Sequence, residues 1–308
     1  ELWGKKGLNS NEVIHHKIGK GNVYSNGNIN TILKKQGLFE DMMLPETANI
    51  KWVHRKLKDL DIYYLTNQGD KPVSFKASFR VKDKSPELWS ALDGSTRQLP
   101  EYSNENHRTT VPLHFNVNES YFVVFKNKGK GAKENLSMAL NFKSKEKVKK
   151  LDVLWDIHFK NEWIGTDFNL EKQALLDWTT SANENVKYFS GTASYKTSMS
   201  LKAEDIKQSL FLNFEHVAGI AEVKLNGVAL ATIWTTPYTV SISEAAKAGE
   251  NMLEIDLTNN WTNQLLWQYK QDEEARKTWE FVNVLGKRPD AELMPSGVFG
   301  KVWLSAED

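Results

Sequence analysis

Apolar and polar residues alternate with a period of two along much of the chain, and this pattern predicts short antiparallel strands. The segment "VSFKASFRVK" (73–82) places its apolar side chains on one face, and "TTVPLHFNV" (109–117) does the same. "SYFVVFK" (120–126) is apolar on both faces, which is typical of a central strand. No long helical period interrupts these strands, so the pattern predicts a small antiparallel β-sandwich ending near residue 142.

A second β-rich region begins with "LDVLWDIHF" (151–159) and continues through "NMLEIDLTN" (251–259). Asn226-Gly227 lies between two alternating segments and predicts a two-residue hairpin turn. Many short strands with regular turns favour a jelly-roll sandwich. We expect a short helix within it, at "NLEKQALLDW" (169–178). The stretch from 261 to 296 is less regular and is expected to wrap the sandwich, with one helical possibility at "DEEARKTW" (272–279).

The first 45 residues follow a different pattern. "GNVYS" (21–25) predicts a strand, and Gly37 is a suitable helix stop. Asn28 is a suitable N-cap for a helix with Ile29, Ile32 and Leu33 on one face. One strand and one helix cannot form a core alone, so this segment is interpreted as the α/β remnant of an upstream domain. The predicted fold is therefore mainly β, with an α/β remnant (1–45), an antiparallel β-sandwich (46–148) and a galactose-binding-like jelly roll (149–308).

Composition restricts the partners. The 308 residues carry a formal net charge of +1, so no strong field favours nucleic acid, and no apolar run is long enough to cross a membrane. The lysine-rich octet Lys143 to Lys150 is interpreted as a solvated linker. The chain has no cysteine, which is compatible with a periplasmic or secreted bacterial protein. It starts without an initiator Met, so we expect a piece of something larger.

Sequence motifs assign no catalytic residue. The chain lacks a phosphate-binding loop, a dinucleotide fingerprint, HExxH and GxSxG. Among 39 acidic residues, no pair stands out as the two carboxylates of a glycosidase. The adjacent His15 and His16 point to opposite faces of a strand and do not suggest a shared metal. No cofactor is expected, although a structural calcium on loop oxygens is compatible with jelly-roll domains of this kind.

Aromatic and amide residues form the candidate carbohydrate-binding set. Sugars stack their C–H faces on aromatic rings and need polar partners for their hydroxyl groups. Two stretches, "WTTPY" and "TNNWTN", supply both kinds of group. The candidates are Trp234, Tyr238, Asn260, Trp261 and Asn263. The alternative, which the sequence leaves open, is that the aromatic residues pack at a sandwich end or an inter-domain seam.

The order of several short motifs suggests a relationship. "LNG", "WTTPY", "GENMLEI", "TNNWTN" and "PSGVFG" follow one another in a way that resembles the C-terminal part of α-L-rhamnosidases of glycoside hydrolase family 106. The middle stretch also resembles the sugar-binding jelly roll of family 2 glycosidases. One departure is "QLLWQYKQ" (264–271), where the family often has a basic residue followed by "LIGD".

The resemblance implies that the catalytic barrel lies upstream of this chain, because no residue here matches a catalytic motif of the family. Whether the chain is itself an enzyme stays open. We expect a non-catalytic part that supports the barrel and contacts a rhamnose- or galactose-containing glycan. The alternatives are an autonomous carbohydrate-binding module and a purely structural scaffold. The scaffold hypothesis predicts an exposed apolar patch near residues 1 to 45.

Overall fold

The computed structural model describes residues 13–127, 140–163, 165–276 and 291–307. The chain divides into two compact units. The first comprises Glu1–Leu65, Val73–His114 and Ser120–Asn141, and the second comprises Thr66–Pro72, Phe115–Glu119 and Phe142–Asp308. The described structure is mainly β, as the alternating pattern predicts. No helix among the described residues combines the length and the apolar character needed to cross a bilayer.

The first unit begins with a β-hairpin and a short helix. Their bounds are β1 (Ile14–Ile18), β2 (Gly21–Ser25) and α1 (Ile29–Lys35). The Asn28 side chain accepts hydrogen bonds from the backbone N–H of Asn30 and Thr31, at 3.0 and 3.2 Å, as expected of an N-cap. The predicted strand, helix and cap are therefore confirmed. The alternating pattern did not predict β1.

The rest of the first unit is built on two antiparallel sheets, ordered β3-β6-β10-β9 and β4-β5-β11-β7-β8. The strands are β3 (Met42–Met43), β4 (Ile50–Lys56), β5 (Leu60–Asn67), β6 (Val73–Phe79), β7 (Lys84–Trp89), β8 (Thr96–Gln98), β9 (Ser103–Glu105), β10 (Arg108–Phe115) and β11 (Ser120–Asn127). Tyr63 on β5 contacts Phe79 on β6 edge-to-face, with ring centroids 4.8 Å apart, so the two sheets share an aromatic core. The predicted central strand, β11, lies in the middle of its sheet.

The second unit contains a four-stranded sheet, ordered β12-β21-β16-β19, and a six-stranded sheet, ordered β14-β13-β15-β20-β17-β18. The strands are β12 (Glu146–Lys150), β13 (Trp155–Asn161), β14 (Thr166–Gln173), β15 (Thr192–Leu201), β16 (Ser209–Ala218), β17 (Ile220–Leu225), β18 (Val228–Ile233), β19 (Thr239–Ser241), β20 (Gly249–Thr258) and β21 (Gly297–Glu307). The helices are α2 (Glu184–Lys187) and α3 (Thr262–Tyr269), with 3₁₀ turns at Trp178–Thr180, Asp205–Lys207 and Glu273–Ala275.

A large apolar core lies between these two sheets. Tyr195 on β15 is buried against Trp155 and Trp178, and its hydroxyl accepts a hydrogen bond from the backbone N–H of Val298 on β21 at 3.2 Å. This bond ties the six-stranded sheet to the four-stranded one. Burial of the ring raises the pKa of Tyr195 far above its usual range.

The predicted hairpin turn at Asn226-Gly227 is confirmed. Both residues have positive φ, at 52° and 81°, and they join β17 to β18 with Leu225 paired to Val228. A two-residue turn with both residues in this region favours Asn-Gly, because glycine has no Cβ and asparagine tolerates the conformation. The Asn226 side chain also bonds to the backbone N–H of Met252 at 3.0 Å.

Two sequence-based expectations are wrong. The lysine-rich octet is not a free linker, because Glu146–Lys150 forms β12 and pairs with β21 at the edge of its sheet. The helix expected at 169–178 is instead β14, which ends at Gln173, followed by a 3₁₀ turn. Helix α3 lies before the helical possibility at 272–279, where Glu273–Ala275 forms a 3₁₀ turn and residues 277–279 lie outside the described part of the chain. The division at 45 and 148 stays a prediction, and residue 148 lies inside β12.

Candidate functional site

The candidate residues around Pro237 occupy the crossing from β18 to β19, that is, from the six-stranded sheet to the four-stranded sheet. Trp234 directly follows β18 and is 58% exposed. Tyr238 is half-buried and packs against the core of the second unit, and burial raises the pKa of its hydroxyl. Its backbone carbonyl accepts the N–H of Phe214 at 2.9 Å. Trp234 therefore faces solvent, whereas Tyr238 belongs partly to the core.

The second candidate group follows β20 and leads into α3. Trp261 is 72% exposed, and the Asn260 side chain next to it accepts the backbone N–H of Thr262 at 3.0 Å. Asn263 is different, because it is only 2% exposed. Its amide donates to the carbonyl of Met294 at 2.7 Å and accepts the N–H of the same residue at 2.9 Å. The structure thus corrects the expectation that Asn263 faces a ligand, since its side chain anchors the 294 backbone.

Strand register brings the two exposed tryptophans to the same end of the six-stranded sheet. Ala221 on β17 pairs with both Ile233 on β18 and Leu257 on β20. Trp234 and the 258–261 segment continue beyond these paired residues in the same direction. Because neighbouring strands lie about 4.8 Å apart, the ends of β18 and β20 are about 10 Å apart.

A third tryptophan, which the sequence analysis did not single out, lies at the same end. Trp163 occupies the tip of the β13–β14 hairpin and is 94% exposed. Phe159 on β13 pairs with Ala193, which pairs with Leu257 on β20, so the hairpin tip projects beyond the same row of residues. The sequence analysis did not predict this hairpin, because it expected a helix at 169–178. We call the set Trp163, Trp234 and Trp261 the tryptophan edge.

Amide hydrogen bonds hold the backbone next to two members of the tryptophan edge, Trp163 and Trp261. The Asn161 side chain accepts the N–H of Trp163 at 3.0 Å and donates to the carbonyl of Ser190. The Asn259 side chain accepts the N–H of Gly191 at 2.9 Å and donates to the carbonyl of Phe189 at 2.8 Å. These two asparagines therefore tie the hairpin tip, the 189–191 loop and the end of β20 to one another.

The same network extends to the start of β21. Asn259 also donates to the Ser296 hydroxyl at 2.7 Å, and the Ser296 N–H donates to the Asp177 carboxylate at 3.1 Å. Gly297 has a φ of +101°, and a Cβ there would lie 2.7 Å from Nε1 of Trp178. Only glycine fits this close approach without displacing the indole. The "PSG" motif thus serves the packing of the sandwich end.

The first unit contains a second polar cluster, centred on His54. Its ring nitrogens lie 2.6 Å from an Asp41 oxygen and 3.1 Å from an Asp61 oxygen, and Lys84 contacts Asp61 at 2.8 Å. The ring stacks on Tyr63 at 4.1 Å, and burial and then the two carboxylates raise the pKa of that tyrosine. These groups are largely buried and paired with one another, so their hydrogen bonds are satisfied within the first unit.

Nothing in the described ranges brings three histidine or carboxylate side chains into a geometry that would hold a metal ion. The expectation that no cofactor is used stays a prediction.

Comparison with known proteins gives the chain a family context. Residues 1–104 match the family model described as alpha-L-rhamnosidase, and residues 169–291 match the galactose-binding domain-like model of glycosyl hydrolase 2. The solved structure of the rhamnosidase from Novosphingobium sp. PP1Y aligns over 99% of this chain with a TM-score of 0.81 and 32% identity. This chain resembles the family 106 α-L-rhamnosidases. The expected mainly β fold and the galactose-binding-like region are thereby confirmed.

Two further relatives of this rhamnosidase-like chain carry the name of another glycoside hydrolase. A Formosa agariphila protein named "Putative beta-glucuronidase" is 37% identical over 142 residues, which is 44% of this chain. A β-glucuronidase of an uncultured Clostridium species aligns over 54% of this chain and 31% of its own, with 17% identity and a TM-score of 0.36, too low to support an inference. The rhamnosidase-like chain spans 12% of the Formosa protein and 28% of the Novosphingobium rhamnosidase.

Proposed function

We propose that the chain is a non-catalytic part of a rhamnosidase-like glycoside hydrolase, which supports the catalytic barrel and contacts carbohydrate. The observation that carries the supporting role is an apolar surface on the N-terminal segment, which the scaffold alternative also predicts. Ile29 is 68% exposed and Phe39 is 60% exposed, with Leu33 and Leu38 also exposed between them. We call Ile29, Leu33, Leu38 and Phe39 the helix surface.

Helix α1 lacks a partner for this surface among the described residues. It has seven residues and buries none of them, although Asn28 caps its start. Isolated helices shorter than about 12–15 residues are marginal in water, and most helical stability in proteins comes from packing an apolar face. An exposed apolar patch next to so short a helix is typical of a surface that docks against another domain.

The catalytic part of the same enzyme is the partner that we propose. The helix surface lies inside residues 1–104, which match the rhamnosidase family model, and the chain spans 28% of the Novosphingobium enzyme. Within the described part of the chain, the His54 cluster is paired internally and offers no free acid–base pair. These observations favour a supporting role for the chain over a catalytic role.

The first test is turnover by the isolated 308-residue chain. An aryl α-L-rhamnoside should not be cleaved, and measurable turnover would place a catalytic pair inside this chain and overturn the proposal. The second test uses the Novosphingobium rhamnosidase from which the matching 28% has been removed. We expect the chain to bind that remainder, and the double substitution Ile29→Ser with Leu33→Ser to weaken the binding. Val228→Ser, at an exposed apolar position on β18, is the matched control.

The tryptophan edge favours a second candidate function, an autonomous carbohydrate-binding module. Exposed rings beside polar groups suit a glycan, and such a module would bind sugar without the catalytic part. Glycan binding by the isolated chain, with no binding to the truncated rhamnosidase, would favour this alternative. Absence of glycan binding would leave a purely structural scaffold. We also propose a periplasmic or secreted location, which is compatible with the absence of cysteine.

A further inference from the structure

We infer that the tryptophan edge binds an oligosaccharide laid across the ends of the strands, from Trp163 past Trp261 to Trp234, rather than a single sugar ring. The inference deepens the proposed carbohydrate contact and rests on it. It adds Trp163, which neither the motifs nor the family matches assign to a site, and it removes Asn263. The ligand class is a linear glycan that presents successive C–H faces to separate indole rings.

The width of the edge carries the argument for an oligosaccharide. Trp163 follows β13, Trp261 follows β20 and Trp234 follows β18, in a sheet whose order is β13-β15-β20-β17-β18 over this part. Four strand spacings of about 4.8 Å separate the first and last of these strands, so the strand ends that carry the rings span about 19 Å. One pyranose ring can stack on only one of the three indoles at such a separation.

Side-chain hydrogen bonds hold the backbone next to Trp163 and the end of β20 that leads to Trp261. Asn161 accepts the Trp163 N–H at 3.0 Å, and Asn259 accepts the Gly191 N–H at 2.9 Å directly beneath the hairpin. A Cβ at Gly191 would lie 3.0 Å from the Asn161 Cβ, so the loop and the hairpin are in close contact. A rigid platform loses little conformational entropy on binding, which is the usual requirement for a recognition surface.

Polar groups at the same end suit sugar hydroxyls. Thr192 and Thr258 pair their side-chain oxygens at 2.8 Å on the exposed face, in the row next to the strand ends. Asn260 uses its side-chain oxygen for the Thr262 N–H, and its NH₂ group points to no partner among the described hydrogen bonds. Lys160 and Glu162 near the hairpin tip pair with each other at 2.9 Å. The edge therefore offers hydroxyl and amide groups rather than unpaired charge.

Calorimetry on the full 308-residue chain tests the inference. The probes are L-rhamnose and rhamnose-containing pectin fragments graded from disaccharide to octasaccharide. We expect weak or no binding of the monosaccharide, and an affinity that rises with length until the glycan spans the edge. Each indole contact should contribute about two- to ten-fold in affinity, by analogy with aromatic stacking.

The variants separate recognition from stability. Trp163→Ala should weaken binding of the octasaccharide by about two- to ten-fold and leave disaccharide binding less affected, because a short glycan does not need all three rings. Trp163→Phe keeps a ring and should retain most of the affinity. Val228→Ala, at an exposed apolar position at the opposite end of the same sheet, removes no ring and is the matched control. Since both positions are exposed, all three variants should keep the melting temperature of the parent chain.

Three results would overturn the inference: affinity independent of glycan length, equal binding by Trp163→Ala and the parent chain, or no binding of any fragment. If Trp163→Ala instead weakens binding to the truncated rhamnosidase, the edge is a docking surface and the inference is also wrong. These results leave the proposed supporting role intact. That role fails separately, through turnover by the isolated chain or through absence of binding between the chain and the truncated enzyme.

Discussion

The helix surface and the tryptophan edge both expose apolar side chains, but the backbone beneath them differs. The helix surface lies on and just after a seven-residue helix that is capped locally and buries no side chain. In the tryptophan edge, Trp163 and Trp261 lie on loops that Asn161 and Asn259 join to the rest of the sandwich. A short helix with an exposed apolar face gains stability by packing against a partner, whereas a surface on a hydrogen-bonded frame can recognise a ligand. This difference leads us to assign docking to the first and recognition to the second.

The largest expected effect comes from disturbing the frame at Gly297. Gly297→Ala would drive a Cβ to within 2.7–2.9 Å of three atoms of the Trp178 indole. We expect a loss of about 3 kcal/mol in the free energy of unfolding, from overpacking and from the positive φ together. Urea denaturation measures this loss in the free energy of unfolding. Gly249→Ala is the control, because Gly249 has a φ of +89° with open space around it, and it should cost about 1 kcal/mol.

Asn259→Ala should have the next largest effect. The substitution removes three hydrogen bonds and leaves the Gly191 N–H and the Phe189 carbonyl without their partner. Unsatisfied groups of this kind cost about 1–3 kcal/mol each in the interior, and we expect about 2 kcal/mol in total at this half-buried position. The neighbouring Asn260→Ala should cost less than half as much, since its side chain makes one exposed turn contact. Equal losses at both positions would contradict the framework role of Asn259.

Removal of an exposed ring should hardly change stability. Trp261→Ala is expected to stay within about 0.5 kcal/mol of the parent chain, because most of the indole is already in water. The buried Trp155→Ala should cost about 3–5 kcal/mol and calibrates the measurement. A drop of several degrees in the melting temperature of Trp261→Ala would mean that this ring packs, and the tryptophan edge would lose its central member.

The smallest expected effect is on the helix surface. In the isolated chain, Ile29→Ser with Leu33→Ser should change the free energy of unfolding by less than about 0.5 kcal/mol, since neither side chain is buried. Thermal melting of the doubly substituted chain and of the parent chain measures this change in stability. A clear destabilisation would show that these residues already pack within the chain, and the comparison between the two surfaces would no longer hold.

Local pattern predicted the elements in which one face is buried or a turn has special geometry. Alternation located β6, β10 and β20, and Asn226-Gly227 specified its hairpin. It failed for β12, because every residue of that edge strand is exposed and no apolar alternation marks it. It also failed for β14, where "LEKQALL" has a helical spacing of apolar residues although pairing with β13 makes part of it a strand.

The candidate site was only partly predictable for the same reason. Trp234 and Trp261 were found because aromatic residues beside prolines and asparagines are visible in the sequence. Residue type could not predict the different roles of Asn259, Asn260 and Asn263, since all three are asparagines within five positions. Burial and partners separate them: Asn259 and Asn263 bond to distant backbone, and Asn260 bonds locally.

The sequence by itself determined the mainly β class, the hairpin and cap positions, and the likeness to a glycoside hydrolase, because each depends on residue types close together in the chain. Tertiary structure alone decided which tryptophans face solvent, that Trp163 joins two others at one end of a sheet, and that Gly297 must lie against Trp178. These features depend on strand order and register. Both are determined by contacts between residues far apart in sequence, which local pattern does not record.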